Sequence, residues 1–135
     1  MSVNSLRRVA VTGLGIVSPI GADAAEVTTS LREGRSGIVH CDTYEEMGFR
    51  SHVHGAPDVD FDNHIDRKLR RFMGDGAAYN YIAMTQAIVD SGLDDKDIRD
   101  ERTGLVMGSG GPSTSALVAA ADTAREKSAK RVGPY

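Results

Sequence analysis

The 135-residue sequence predicts an α/β fold. Two apolar runs, residues 8–17 and 103–107, each enter a glycine-rich turn followed by a capped helical stretch, the order of an α/β unit. Between them, Ala78, Tyr81, Ile82, Thr85, Ile88 and Val89 recur at spacings of three and four, which lines one face of a helix.

In the first run, Val9, Ala10, Val11, Leu14, Ile16 and Val17 read as a buried strand. Gly13 and Gly15 inside it mark a bend or a close backbone approach, and Pro19 and Gly21 end it. Asp23 caps the next helix, with Glu26 three residues on as its capping-box partner and Gly34 as its stop. Val27 and Leu31 supply that helix's apolar face. Residues 36–62 show weak periodicity and read as loop, with short extended pieces at 49–53 and 59–61. Asp66 caps a helix that opens with a basic cluster. The long helix begins in earnest after Gly74 and Gly76, and Gly92 sits where a left-handed C-cap belongs. TGLVM, residues 103–107, reads as a second buried strand leading into Gly108-Ser109-Gly110-Gly111. Ser113 or Ser115 then caps an alanine-rich helix through Leu117, Val118 and Ala121. Pro134 and Tyr135 look like the lead-in to another element. Two strands make a poor sheet, so the sequence is expected to be a piece of a larger fold.

Composition excludes several classes. The chain carries 16 Lys and Arg against 19 Asp and Glu, a net charge of -3, so nothing global points to nucleic acid. Two islands depart from that balance: RKLRR at residues 67–71 and REKSAKR at residues 125–131. They read either as solvated helix ends or as a surface for an acidic partner. One cysteine, Cys41, excludes an internal disulfide and fits a reducing, cytoplasmic compartment. No apolar run approaches the length of a membrane span, and the residues before Arg8 do not form a cleavable apolar leader.

The local motifs carry no complete catalytic set. A dinucleotide fingerprint needs a third glycine where Ser18 stands, and neither glycine cluster is followed by the Lys-Ser/Thr pair of a phosphate loop. Asp58, Asp60 and Asp62 alternate like calcium ligands, but Asn63 takes the place of the turn glycine and Leu69 that of the bidentate glutamate. His40 and Cys41 are neighbours in an extended stretch and point apart, which disfavours a thiolate–imidazole pair. Ser109 lacks the first glycine of a nucleophile elbow and reads as a turn serine. His52 and His54 share a face, yet they have no cysteine or carboxylate framework around them, so no metal and no cofactor is expected.

RRVAVTGLGIVSPIG, SLREGRSGI, DRKLRRFMGD, GLVMGSGG and the final VGPY, in that order, resemble the opening of the beta-ketoacyl-[acyl-carrier-protein] synthases, the condensing-enzyme family of fatty acid elongation. RSHVHG and IDRKLRRFM resemble the type I branch. The resemblance implies an incomplete N-terminal half of a thiolase-like α-β-α-β-α layered fold, with residues 1–135 ending before the catalytic cysteine. It implies decarboxylative Claisen condensation by the full-length enzyme, a homodimer with a cysteine and two histidines that all lie beyond Tyr135, and an inert 135-residue chain. It also implies that an acidic acyl carrier protein docks on Arg67, Lys68 and Arg71 together with Lys127 and Lys130. Gly111 matches a position at the dimer boundary near the acyl pocket, where glycine leaves room, and Pro112 departs from the more glycine-rich form of that loop. A non-catalytic carrier-protein-binding module and a polyketide-type condensing subunit are the alternative readings.

Overall fold

The computed structural model describes residues 8–133. The lead-in expected at Pro134 and Tyr135 and the leader question before Arg8 lie outside them. In chain order the elements are α1 (Ala24–Glu33), β1 (Ile38–His40), α2 (Asp42–Glu46), β2 (Val53–Gly55), α3 (Arg67–Arg70), α4 (Asp75–Ser91), α5 (Asp95–Ile98) and α6 (Thr114–Glu126). Short 3₁₀ turns at Phe61–Asn63 and Ala129–Arg131 complete them.

Helix ends follow the sequence closely. The Asp23 carboxylate accepts from the Glu26 amide at 2.9 Å, and the Glu26 carboxylate reaches back to the Ala22 amide at 2.8 Å. Gly34 closes α1 and Gly92 closes α4, both in the left-handed region at φ 66°. Asp66 caps α3 through the Lys68 amide at 2.8 Å, and Ser113, not Ser115, caps α6. One boundary differs: α4 already starts at Asp75, with Gly74 as its N-cap and Gly76 inside its first turn. Glycine is tolerated there because the first-turn amides have no intrahelical partners to lose.

The middle region holds more structure than its periodicity suggests. β1 and β2 pair antiparallel, with Ile38 opposite Gly55, Val39 opposite His54 and His40 opposite Val53. α2 sits inside the connection and ends at Glu46, with Met47 as its C-cap and Gly48 following at φ 72°. The extended piece expected at residues 49–53 is therefore displaced onto Val53–Gly55, and part of the one expected at 59–61 is the start of a 3₁₀ turn. Strands of three residues are too short for alternation to show.

Both expected buried strands are corrected. Residues 8–17 form no strand and pair with none among the described residues, and Val9 and Val11 are 91% and 89% exposed. Residues 103–107 behave alike, with Val106 at 94%. A strand exists only where a neighbour takes its amides and carbonyls, and here α4 performs part of that role for the first run. The Leu14 amide donates to Asp90 Oδ2 at 2.9 Å and the Ile16 amide to Gln86 Oε1 at 3.0 Å. Gln86 Nε2 in turn donates to the Ala22 carbonyl at 2.7 Å. A β-carbon on Gly13 or Gly15 would collide with the carbonyl oxygen of Ala87 or Ala83 on α4. The paired glycines thus serve a close backbone approach to α4.

The core is small. Ile65, Ala78 and Ile82 are buried together, with Val17, Val59, Phe61 and Met73 packed around them. Of the stripe read from α4, Ala78 and Ile82 face this core, whereas Val89 is exposed. On α1, Val27 is buried and Leu31 is not. Ser30 is the other buried residue of α1, and its hydroxyl donates to the Ile20 carbonyl at 2.7 Å.

Candidate functional site

The N-termini of α4 and α6 meet: a β-carbon on Gly74 would lie 2.7 Å from Ser113 Cβ. The space opening beside that contact is a groove of about 940 Å³. Phe72, Met107, Leu117 and Val132 give it apolar walls, and Gly111 lines it as well. A β-carbon at Gly111 would meet nothing within 4 Å, so the position has room for a larger residue.

No residue of either basic island lines this groove, but each island ends one residue before a residue that does. Phe72 directly follows the first island and Val132 directly follows the second, and both line the groove. Arg67, Lys68, Arg71, Lys127 and Lys130 are all exposed, and none forms an ion pair among the described residues. The Arg71 guanidinium lies over the Phe72 ring, 4.5 Å from its centre. Arg70 differs: it pairs with Asp75 at 2.6 Å, donates to the Met73 carbonyl and covers the Phe61 ring at 4.4 Å. Phe61 in turn meets Tyr79, ring centres 5.1 Å apart. Burial, then the Asp75 charge, push the Tyr79 hydroxyl above its ordinary pKa of 10.0, and the Arg70 charge opposes them.

The other sequence candidates are placed differently. His40 Nε2 lies 3.0 Å from Glu45 and 3.4 Å from Asp42, all at the surface. Cys41 is the N-cap residue of α2. Among the described residues, no three His, Cys, Asp or Glu side chains converge as a metal site. Asp60 accepts from the Asp62 amide and the Asn63 side chain, which makes the aspartate series a capped turn. Ser109 donates to the Gly111 carbonyl at 2.6 Å, a bond internal to its turn. Sequence reasoning missed Phe72 and Val132 as groove residues; their position directly after each island was the available signal.

The family model described as "Beta-ketoacyl synthase, N-terminal domain" matches residues 6–134. The chain belongs to the beta-ketoacyl synthase family. It is 45% identical over 131 residues to 3-oxoacyl-[acyl-carrier-protein] synthase 1 of Haemophilus influenzae, covering 96% of this chain and 32% of that protein. It is 46% identical over 132 residues to the synthase 1 of Escherichia coli K12, again covering 96% of this chain and 32% of the relative. The chain thus spans about a third of the length of these relatives. A solved structure, the ishigamide ketosynthase/chain length factor, superposes with a TM-score of 0.73 at 23% identity, covering 92% of this chain and 31% of that one. At that identity the likeness speaks to fold, and the fold is a mixed α/β part of a thiolase-like condensing-enzyme architecture. No helix among the described residues is long and apolar enough to cross a membrane.

Proposed function

We propose that this chain is the opening portion, residues 1–135, of a 3-oxoacyl-[acyl-carrier-protein] synthase, and that it supplies the carrier-protein docking face and part of the acyl groove. The observation that carries the reading is the family match over residues 6–134, joined to exposed cations in two islands that each end next to a residue lining one groove. In the full enzyme a cysteine thiolate beyond Tyr135 takes the acyl group from its carrier thioester. Malonyl carrier protein loses carbon dioxide, and the resulting carbanion attacks the acyl-cysteine carbonyl. The new carbon–carbon bond gives 3-oxoacyl carrier protein and frees the thiolate.

The part played by this chain is earlier and electrostatic. Arg67, Lys68, Arg71, Lys127 and Lys130 attract an acidic acyl carrier protein and set its orientation, which raises the encounter rate more than it deepens the bound state. The apolar walls at Phe72, Met107 and Val132 receive the acyl chain, and Gly111 keeps that space unobstructed at the dimer boundary. The full protein is proposed to act as a homodimer in the cytoplasm, with neither nucleic acid nor membrane as a partner.

The test is condensation by the full native protein supplied with an acyl thioester and malonyl carrier protein. The expected result is 3-oxoacyl carrier protein with one carbon dioxide released per product. Absence of both from a protein that binds carrier protein would favour the non-catalytic module. The purified 135-residue chain is expected to be inert in the same assay, and condensation by it would overturn the division of labour proposed here.

A further inference from the structure

We infer that Arg70 is a positioning residue for the docking cations around it and not one of them; this rests on the docking reading above. Of the cations in RKLRR, Arg70 alone is in an ion pair among the described residues, and its side chain is 25% exposed. Its guanidinium spans from α3 to the first turn of α4, bonding Asp75 Oδ1 and the Met73 carbonyl while lying on the Phe61 ring. A fork that engages a carboxylate, a carbonyl and an aromatic face at once is a use that lysine cannot reproduce.

α3 needs such an anchor. It has four residues and buries none of them. A single turn does not hold itself together in water. Its N-terminal side is fixed by the Asp66 cap and by buried Ile65. Its C-terminal side, which carries Arg71 and Phe72 toward the groove, is tied to α4 by Arg70. Without that tie, Arg67, Lys68 and Arg71 keep their charges but lose a fixed arrangement, and part of the binding free energy goes into ordering them.

The experiment measures binding of holo acyl carrier protein to the full native protein over a salt series, for Arg70→Ala, Asp75→Asn and, as the docking control, Lys68→Glu. Positioning predicts that Arg70→Ala and Asp75→Asn each weaken binding on the order of three- to tenfold, the size expected for losing a charged hydrogen bond. The salt dependence of both should stay that of the parent, because the contacting cations are unchanged. Asp75→Asn is the sharper variant. It removes a negative charge beside a basic surface, so electrostatics alone would tighten an acidic partner. Arg70→Lys should recover only part of the loss. Far-UV circular dichroism checks the fold, and if Arg70→Ala unfolds, Arg70→Gln carries the same prediction. Unchanged or tighter binding by Asp75→Asn, or a flattened salt dependence in the Arg70 variant, overturns the inference. If Lys68→Glu also binds like the parent, the docking reading itself has failed, a result distinct from failure of the Arg70 variants alone.

Discussion

Gly15 carries the most local information in the chain. The sequence marked it, with Gly13, as a bend or close approach, and the approach is to the backbone of α4 at Ala83 and Ala87. The partner could not be read, because nothing in a glycine names what lies against it. Gly15→Ala is expected to destabilise by about 2–3 kcal/mol, since the obstructing atom is a helix carbonyl that cannot swing aside. A urea unfolding midpoint for the variant checks this, and a midpoint equal to the parent's would mean that the segment does not press on α4. Gln86 was equally hidden. Read from the sequence it is a polar residue within a helical pattern, yet it bonds both the Ile16 amide and the Ala22 carbonyl.

At the scale of elements, α1, α3, α4 and α6 were legible, whereas α2, α5 and the extended segments were not. α1, α3, α4 and α6 announce themselves through Asp23, Asp66, Gly92 and Ser113, each of which acts within a few residues of its own position. Asp23→Ala should lower stability by about 1 kcal/mol through loss of the Glu26 amide bond, measurable as a shift in Tm; Asp23→Ser should restore most of it, and a silent Asp23→Ala would show the cap to be dispensable. Extended segments depend on neighbours that local patterns do not contain. The hairpin of Ile38–His40 with Val53–Gly55 escaped for that reason, and residues 8–17 and 103–107 were read as buried strands although they pair with no strand among the described residues and leave Val9, Val11, Leu105 and Val106 exposed.

At the scale of the molecule, surface decides. The chain exposes 11358 Å², against about 6,800 Å² expected of a compact protein of 14.4 kDa. Val9, Val11, Leu105 and Val106 contribute to that excess, in two runs that pair with no strand among the described residues. The isolated 135-residue chain is therefore expected to bind a hydrophobic dye such as ANS strongly and to self-associate as its concentration rises. A monodisperse, dye-silent monomer would contradict this. The family was legible from five ordered segments, while the meeting of Phe72 and Val132, the residues that follow the two basic islands, in one groove needed the fold, because residues 67–71 and 125–131 are remote in sequence. Together the two islands are proposed to form a carrier-protein docking face. The direct measurement is the affinity of holo acyl carrier protein for the full native protein at low salt, with and without the paired substitutions Lys68→Glu and Arg71→Glu. The expected result is binding weaker on the order of tenfold or more, with a shallower salt dependence. Equal affinity at low salt would contradict it.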